Sequence, residues 1–412
     1  MTEALSREPI AIVGAGPAGA ALAWLLASRG VPVVLIERQS DFEREFRGEV
    51  MMPSGLEALD QMGLLGGLAE IPHRVPTLFE VHLRRRLAFR VEVTPESYKD
   101  GRPVTTVSQP HLLEYIVARC SEHPCFRFVR GGSVDGLLHE DARCAGVVVR
   151  TVAGNETIRA ALVVGADGRA SVVRRRSGLV SRNRGAPMDV AWVKLPWPKA
   201  WGEEGRVEAY LGNGHLAIAV PAPDGRLQLA WVILKGTFGD VRARGIEAWV
   251  EAMADHVSPE LGVHLREHLE QLSSPFLLKP ATDHVVRWSC PGVLLIGDAA
   301  HTMSPVGGQG LNLALRDAVA AANHLVPAWQ ESAEGAALDL ATTKVGAVRS
   351  PEIDRIQLLA SMPPRLLLRK GRLAEIARSF LARYATTSFA RARAEAPVNL
   401  FLYGTTELHL EV

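Results

Sequence analysis

The chain has 412 residues, 47% of them hydrophobic and 22% charged, a balance typical of a globular protein with a sizeable core and about two structural units. Its 46 Lys and Arg residues against 45 Asp and Glu residues leave a net charge of +1, which argues against nucleic acid or an acidic molecule as a partner. The four cysteines form no Cys-x-x-Cys pattern, so we predict reduced thiols and no bound metal.

The first segment, Met1–Pro9, carries Glu3, Arg7 and Glu8 and lacks an apolar core, so no signal peptide is predicted there. No stretch of the sequence approaches the ~18 uninterrupted apolar residues that a membrane-spanning helix needs. We therefore expect a cytoplasmic protein without a membrane span.

A strand, a tight turn and a helix follow. Residues Ile10–Val13 are rich in β-branched side chains and end at Gly14, and an Ala-rich run predicts a helix from Ala18 to Ser28. A second strand is predicted at Val33–Ile36 and ends at Glu37. This order predicts a βαβ unit at the start of the chain.

The turn of this unit, residues 14–19, fits the dinucleotide pattern G-x-G-x-x-G. The glycines permit a tight turn, a close approach of a pyrophosphate and close helix packing, while the helix start offers free N–H groups. The carboxylate of Glu37, about 20 residues further on, can accept hydrogen bonds from ribose hydroxyls. The adenosine half of NAD or FAD would fit equally. The residues expected to contact the dinucleotide are Gly14, Gly16, Pro17, Ala18, Gly19, Glu37 and Arg38.

Two blocks, residues 78–93 and 206–234, switch to alternating apolar and polar residues, which predicts antiparallel strands with one polar face. The other predicted elements are a helix at Pro110–Ala118, buried strands at Ala161–Val164 and Gly292–Ile296, and a helix from Leu311 to about Val326. The chain from about Arg349 is predicted to be helical, and its many arginines favour a solvated helix face.

Parallel-type elements therefore lie at the start, middle and late part of the chain, with antiparallel blocks between them. This predicts an α/β protein in which a discontinuous Rossmann-like domain holds an inserted antiparallel-sheet domain. The predicted ranges are 1–75, 105–182 and 276–345 for the nucleotide-binding domain, 76–104 and 183–275 for the inserted substrate domain, and 346–412 for a helical C-terminal segment.

Two later motifs each follow a short apolar strand and carry an aspartate at its end, where ligands gather in open α/β sheets. The first is V-V-G-A-D-G-R-A-S-V-V-R at residues 163–174. The second begins with G-D-A-A-H at residue 297 and continues through Pro305 to G-G-Q-G-L-N at 307–312.

With these motifs in this order, residues 8 to about 330 resemble the class A, or para-hydroxybenzoate hydroxylase-like, flavoprotein monooxygenases. The resemblance implies the fold of that family and bound FAD, with Asp298 on its ribityl chain and the helix start at Gly308 aimed at the pyrimidine ring. A helix start stabilises the negative charge of a reduced flavin. The further positions that the resemblance assigns to FAD are Arg47, Gln109, Asp167, Pro305, Gly310, Leu311 and Asn312.

The resemblance also implies that NADPH or NADH reduces the flavin and that oxygen is transferred through a C4a-hydroperoxide. The expected substrate is a small aromatic or polyketide-like molecule. No second glycine fingerprint is present, which is consistent with a transiently bound reductant. The alternatives are a related flavin-dependent reductase or halogenase, or a non-catalytic FAD-binding protein.

The inserted sheet is expected to cover the flavin and to form the substrate pocket. Its candidate side chains are Tyr210, His215, Gln228 and Trp231. Tyr210 could activate a phenol through a hydrogen bond, and the Trp231 ring could stack on the substrate. Pro305 is expected to act through its backbone near the reaction centre, so Tyr210 and Pro305 are the predicted catalytic residues.

Overall fold

The structure is a computed structural model that describes residues 7–43, 49–83, 85–183, 185, 188–202, 205–212, 215–243, 245–278, 282–305, 307–332, 335–367 and 398–412. The helices are α1 (Pro17–Ala27), α2 (Pro53–Gln61), α3 (Gln109–Cys120), α4 (Val172–Arg176), α5 (Phe238–Ala243), α6 (Gly245–Ala254), α7 (Pro259–Glu267), α8 (Gln309–Glu331) and α9 (Gly335–Leu367). Within these residues, we find no helix of the length and apolarity that crossing a membrane requires.

The strands are short and numerous. They are β1 (Ile10–Val13), β2 (Val33–Glu37), β3 (Val50–Met51), β4 (His73–Arg74), β5 (Pro76–Leu83), β6 (Arg86–Glu92), β7 (Thr105–Val107), β8 (Phe126–Arg130), β9 (Ser133–Glu140), β10 (Arg143–Thr151), β11 (Gly154–Arg159), β12 (Leu162–Gly165), β13 (Ser181–Asn183), β14 (Met188–Leu195), β15 (Gly205–Gly212), β16 (His215–Pro221), β17 (Leu227–Leu234), β18 (Phe276–Leu278), β19 (Asp283–Val285), β20 (Ser289–Cys290) and β21 (Val293–Leu295).

A six-stranded sheet in the order β20-β21-β12-β1-β2-β8 forms the nucleotide-binding core. All its neighbours pair in parallel except β20, which runs antiparallel to β21. The strands β1 and β12 are buried along their whole length, as expected for a parallel sheet that is covered on both faces. Their carboxyl ends therefore lie side by side at one edge of the sheet.

A second, seven-stranded sheet has the order β18-β14-β17-β16-β15-β5-β6. Most of its pairs are antiparallel, as predicted, but β5 runs parallel to β15, because the two strands come from separate segments of the chain and no hairpin joins them. Strand β18 pairs with β14 of this sheet, so the boundary predicted at residue 276 falls just before a strand of the substrate sheet.

The last described segment, residues 398–412, folds back onto the first sheet's helices. Asn323 of α8 donates to the carbonyl of His409 at 2.7 Å and accepts from the Glu411 amide at 2.9 Å. Gln61 at the end of α2 makes the same two-way contact with Leu408 and Leu410, at 3.1 and 2.8 Å. The side-chain amides of Asn323 and Gln61 thus make the backbone hydrogen bonds that a neighbouring strand would otherwise make with this extended segment.

A network of buried charges joins α8 and α9 beneath the turn that follows β21. The carboxylate of Asp317 accepts from His301 at 2.6 Å, from the Gly297 amide at 2.9 Å and from Arg349 at 2.8 Å. Arg349 also pairs with Glu352, and Arg316 contacts the same Glu352 carboxylate at 3.1 Å. Burial alone would raise the pKa of Asp317, but His301 and Arg349 lower it to about 2.

Removing one partner of such a network leaves the other charges buried and unpaired. We predict that Arg349→Met lowers the free energy of unfolding by about 3–5 kcal/mol, because Asp317 and Glu352 both lose a cation. Urea denaturation followed by circular dichroism measures this. The control is Arg355→Met on the exposed side of α9, where we expect little change. Equal urea midpoints of unfolding for Arg349→Met and Arg355→Met would contradict the role given to the network.

Candidate functional site

Gly14 brings the first two motifs into contact at the carboxyl edge of the six-stranded sheet. Its φ is +100°, and a Cβ there would lie 2.4 Å from the carbonyl oxygen of Ala166 and 2.8 Å from Cα of Asp167. Only glycine fits this position without moving the backbone. The turn after β1 and the turn after β12 are therefore packed directly on each other.

The start of α1 is open on one side and closed on the other. Gly16 is its N-cap and makes no side-chain cap bond, and a Cβ on Gly16 would meet nothing within 4 Å. A Cβ on Gly19 would lie 1.9 Å from the carbonyl oxygen of Gly14, so this side is closed. Pro17 occupies the first turn and Ala18 is buried. Free N–H groups therefore face empty space, the arrangement that binds a phosphate.

Glu37 ends β2 beside this space and is only 4% exposed. Its carboxylate accepts from the Ala15 amide at 3.0 Å and from the Gln39 amide at 3.1 Å. These backbone bonds hold the carboxylate at the carboxyl edge of the sheet, where it can take a hydroxyl group. The next residue, Arg38, is exposed.

Asp167 is used within its own turn. Its carboxylate accepts from the Ser171 hydroxyl at 2.5 Å and from the Val172 amide at 2.6 Å, which caps α4. Burial raises its pKa, and these hydrogen bonds oppose that shift. These contacts show that Asp167 shapes the turn packed on Gly14, and its predicted contact with the cofactor stays a prediction.

Asp298 is the more open carboxylate of the two later motifs. Its side chain is 34% exposed, and Nε of Arg169 lies 3.2 Å from one oxygen. The preceding Gly297 adopts a φ of +58° and donates its amide to Asp317, so the buried network holds the turn that carries Asp298. The carboxylate can therefore accept from a ligand hydroxyl at this edge.

The start of α8 resembles that of α1. Gly307 and Gly308 both have positive φ, of +93° and +61°, and Gly308 is an N-cap without a side-chain cap bond. The Gly308 amide donates to the carbonyl of Pro305 at 3.1 Å, and a Cβ on Gly310 would meet nothing within 4 Å. Leu311 is buried. The backbone therefore offers N–H groups to an open space, as the sequence predicts for this helix start.

The Asn312 side chain has a structural role, and the predicted contact of Asn312 with the cofactor stays a prediction. It is fully buried, donates to the carbonyl of Gly308 at 2.8 Å and accepts from the Met52 amide at 2.8 Å. Its amide oxygen also excludes a side chain at Gly55, where a Cβ would lie at 2.2 Å. Asn312 thus ties β3 and α2 to the start of α8. Sequence spacing places Asn312 in the motif but does not show which way its side chain points.

Of the two other predicted cofactor residues, Gln109 and Arg47, the structure describes only Gln109. Gln109 is buried and is the first residue of α3. Arg47 lies outside the described residues.

The seven-stranded sheet has two unlike faces. One face packs against α6 and α7 and holds a large apolar cluster that includes Tyr210 and Trp231. The other face holds a smaller cluster with Val190, Leu216 and Val232. Lys194 lies on this second face, and its Nζ is 3.8 Å from Glu49, the residue before β3. This end of the second face therefore lies next to the residue that leads into β3.

Three of the four predicted pocket side chains lie on the helix-covered face, away from the turns of the cofactor motifs. Tyr210 is 1% exposed and bonds to Glu208 and to the Ser258 hydroxyl at 3.2 Å. The ring of Trp231 lies 5.5 Å from that of His215 and 5.8 Å from that of Trp249. These contacts hold Tyr210 among core side chains, and its role in activating a substrate stays a prediction. Gln228, directly opposite Lys194 in the sheet, lies on the second face.

The helix-covered face contains a buried polar cluster that the sequence did not indicate. Nε2 of His82 lies 3.2 Å from Glu80 and 3.7 Å from Glu208, a spacing that could hold a metal ion. The carboxylates are already engaged, however, because Arg90 pairs with Glu80 and Arg206 lies 3.2 Å from Glu208. Two neighbouring cations oppose a third positive charge, so this set fits a shared proton better than a metal.

The site at the sheet edge fits FAD. It offers two uncapped helix starts beside glycines with open space, a held carboxylate at Glu37 and an open carboxylate at Asp298. A dinucleotide has a pyrophosphate for the first helix start and hydroxyls for the two carboxylates. The second helix start suits a ring that carries negative charge.

Comparison with known proteins agrees with this fit. The model of the FAD binding domain family matches residues 7–353. A 6-methylpretetramide 4-monooxygenase from Streptomyces rimosus is 32% identical over 379 residues, covering 90% of this chain and 87% of the relative. A kynurenine 3-monooxygenase from Salinispora arenicola is 29% identical over 340 residues, covering 76% and 71%.

This chain belongs to the class A FAD-dependent monooxygenases. The crystal structure of p-nitrophenol 4-monooxygenase PnpA from Pseudomonas putida has the same fold, with a TM-score of 0.80, 19% identity and coverage of 97% of this chain and 99% of that one. That of pqsL, a probable FAD-dependent monooxygenase from Pseudomonas aeruginosa, gives 0.75 at 24% identity, covering 88% and 97%. The predicted family, fold class and cofactor are confirmed. Enzymes of this class use FAD with NAD(P)H and O2.

Gly16 provides a test of FAD binding that leaves the fold intact. We predict that Gly16→Ala weakens FAD binding by tenfold or more, about 1.4 kcal/mol, because the new methyl group would occupy space that no protein atom fills. Quenching of FAD fluorescence by the apoprotein measures the affinity. The control is Gly66→Ala, which also meets nothing within 4 Å but lies at an exposed position of the 3₁₀ helix Leu65–Glu70, outside the cofactor motifs. Unchanged affinity would place the phosphates elsewhere.

The cluster on the helix-covered face predicts a pH-dependent stability. Burial, and then the charge of Glu80, raise the pKa of Glu208. The folded state therefore holds a proton that the unfolded chain loses above about pH 4.5, so this contribution to stability falls as the pH rises through the folded pKa. We predict a smaller loss of unfolding free energy between about pH 5 and pH 8 in Glu208→Gln than in the wild type, measured by urea denaturation. Glu260→Gln, on the surface of α7, should behave as the wild type does.

Proposed function

We propose that this enzyme hydroxylates a phenolic, polyketide-like aromatic substrate. The observation that carries the proposal is the 32% identity, over 90% of the chain, to a 6-methylpretetramide 4-monooxygenase. A rifampicin monooxygenase from Streptomyces venezuelae, 29% identical over 75% of this chain, supports a large ring-bearing substrate as well. The apolar side chains on the second face of the substrate sheet suit an aromatic ring system.

The cofactor would lie along the carboxyl edge of the six-stranded sheet. The start of α1, with Gly16, would hold the pyrophosphate, Glu37 would accept from the adenosine ribose, and Asp298 from the ribityl chain. We keep Arg47, Gln109 and the backbone at Pro305 as proposed contacts. Bound FAD supplies the hydride acceptance and the activation of O2 that side chains cannot provide.

The start of α8 would act on the ring of the cofactor. Its free N–H groups, at Gln309 and Gly310, carry a partial positive charge that favours the anionic form of a reduced ring. The positive φ of Gly307 and Gly308 brings the backbone itself to the ring without a side chain between them. The Asn312 side chain bonds to the backbone of Gly308 and Met52 and so holds this helix start in place. The partial positive charge of the helix start would therefore be oriented before the cofactor binds.

The second face of the seven-stranded sheet would form the opposite wall. Its side chains Trp192, Leu216, Ile218 and Val232 are apolar, while Lys194 and Gln228 are polar and lie at one end. Apolar side chains pack on an aromatic ring system and exclude water from the reacting carbon. The polar pair at the end of the face would orient a substrate hydroxyl.

The test uses the full-length protein as purified. We expect it to be yellow, to release FAD on denaturation, and to consume NADPH or NADH and O2 faster when a polycyclic phenol is added. With ¹⁸O2, the product should gain one labelled oxygen atom by mass spectrometry. Labelled water with ordinary O2 is the control and should leave the product unlabelled. Protein that holds FAD but transfers no oxygen to phenols of this kind would contradict the proposed substrate class.

A further inference from the structure

Glu49 immediately precedes Val50, the residue that contacts the start of α8. Its carbonyl accepts from the Val107 amide at 2.7 Å, which anchors it to β7. The next residue, Val50, accepts from Asn312 at 3.3 Å, and a Cβ on Gly308 would touch Cβ of Val50 at 3.1 Å. One residue therefore separates Glu49 from the backbone that holds the helix start facing the cofactor.

Lys194 approaches Glu49 from the substrate sheet. Its Nζ lies 3.8 Å from Oε1 of Glu49 and 3.3 Å from Asp224 in the turn between β16 and β17. The side chains of Lys194 and Glu49 are 17% and 12% exposed, whereas that of Asp224 is 47% exposed. The ammonium group thus stands between an inner carboxylate and an outer one, where the two domains meet.

One oxygen of Glu49 is left without a partner. Oε2 is buried and makes no hydrogen bond with any residue that the structure describes, and the Lys194 contact on the other oxygen is longer than a hydrogen bond. A buried acceptor without a donor lowers stability, so an ion pair with Lys194 alone does not account for this carboxylate. The vacant acceptor suits a donor that arrives with the substrate.

Burial brings the pKa of the Glu49 carboxyl group close to neutral pH. Burial raises the pKa of Glu49 to about 7, Lys194 opposes the shift and Asp224 adds to it. Among the described residues, Lys194 and Asp224 are the charged groups that act on Glu49. A base whose pKa lies close to the working pH can both take up and return a proton.

We propose that Glu49 is the base that accepts the proton of the substrate hydroxyl, and that Lys194 is the positioning residue whose charge favours the ionised form of the Glu49 carboxylate. This rests on the proposed function, a phenolic substrate on the second face of the sheet. The O–H bond of the phenol breaks, its electron pair stays on the ring oxygen, and the proton forms an O–H bond to Oε2 of Glu49. The electron-rich ring is then open to oxygen transfer. The proton returns to the product oxygen when the ring regains its aromatic form.

The test follows the ionisation of a bound phenol rather than turnover. The probe is 4-nitrophenol, whose ionised form is yellow, added to FAD-loaded full-length protein and read as a difference spectrum over a pH series. We expect the wild type to hold more of the bound probe in the ionised form than Glu49→Gln does at about pH 7 and above, where Glu49 is at least half ionised. Glu49→Gln should lower this ionisation constant of the bound probe by tenfold or more while its FAD content stays that of the wild type.

Two further variants separate the role in chemistry from a role in folding. Glu92→Gln, the same change on the exposed edge strand β6, should match the wild type. Lys194→Met removes the charge that lowers the pKa of Glu49, so the pH profile of probe ionisation should move to higher pH. A structural contact alone would not move that profile.

The outcomes that overturn the proposal are distinct from a failure of the proposed function. A probe that stays neutral in the wild type, fails to bind to it, or ionises equally in Glu49→Gln and Glu92→Gln would overturn the assignment of Glu49. Loss of oxygen transfer to all phenols with normal probe ionisation would instead count against the proposed function.

Discussion

The hydrogen bonds and ion pairs of the Asp317 carboxylate are the interactions on which the candidate FAD site depends. A single buried group accepts from the Gly297 amide, from His301 and from Arg349, so it joins the turn after β21 to α8 and α9 at once. The turn carries Asp298, and α8 begins at the glycines that face the cofactor. Because the charges lie in a medium of low polarity, each is stable only while the others are in place.

This network explains why an apolar helix contains a charged pair. Arg316 and Asp317 are 2% and 0% exposed, although their neighbours in α8 are mostly Ala, Leu and Val. Charged residues inside such a run indicate buried pairing, and that pattern was available in the sequence. Their partners were not, because Arg349 and Glu352 lie more than thirty residues further on, and no periodicity connects them.

The elements of the nucleotide-binding core were predictable, since local patterns determine them. The helix predicted from Ala18 to Ser28 is α1, Pro17–Ala27, and the strand predicted at Ala161–Val164 is β12, Leu162–Gly165. The tight turn predicted at Gly14 is also present, because the backbone of Ala166 lies too close to this position for any side chain. The cytoplasmic location, the role of Arg47 and the predicted domain boundaries at residues 76, 105 and 183 stay predictions.

The substrate side was less predictable because a period of two gives the alternation of a strand but does not show which face is covered. In β17, Leu227, Leu229 and Trp231 pack under the helices, whereas Gln228 and Ala230 lie on the other face. The choice depends on α6 and α7, which lie after these strands in the chain and cover one side of the sheet. An aromatic side chain such as Tyr210 is then as readily part of the core as of a pocket.

Glu208 and Glu49, which lie toward opposite faces of this sheet, show how a polar group in the core differs from one that awaits a ligand. Glu208 bonds to Tyr210 and Arg206, and Glu80 is held by Arg90, so the cluster on the helix-covered face is nearly satisfied by its own side chains. Glu49 has one long contact with Lys194 and a second oxygen with no partner among the described residues. Burial raises the pKa of both groups, so the shift alone does not distinguish them. The vacant hydrogen-bonding position does, and it lies where the substrate sheet meets the start of α8.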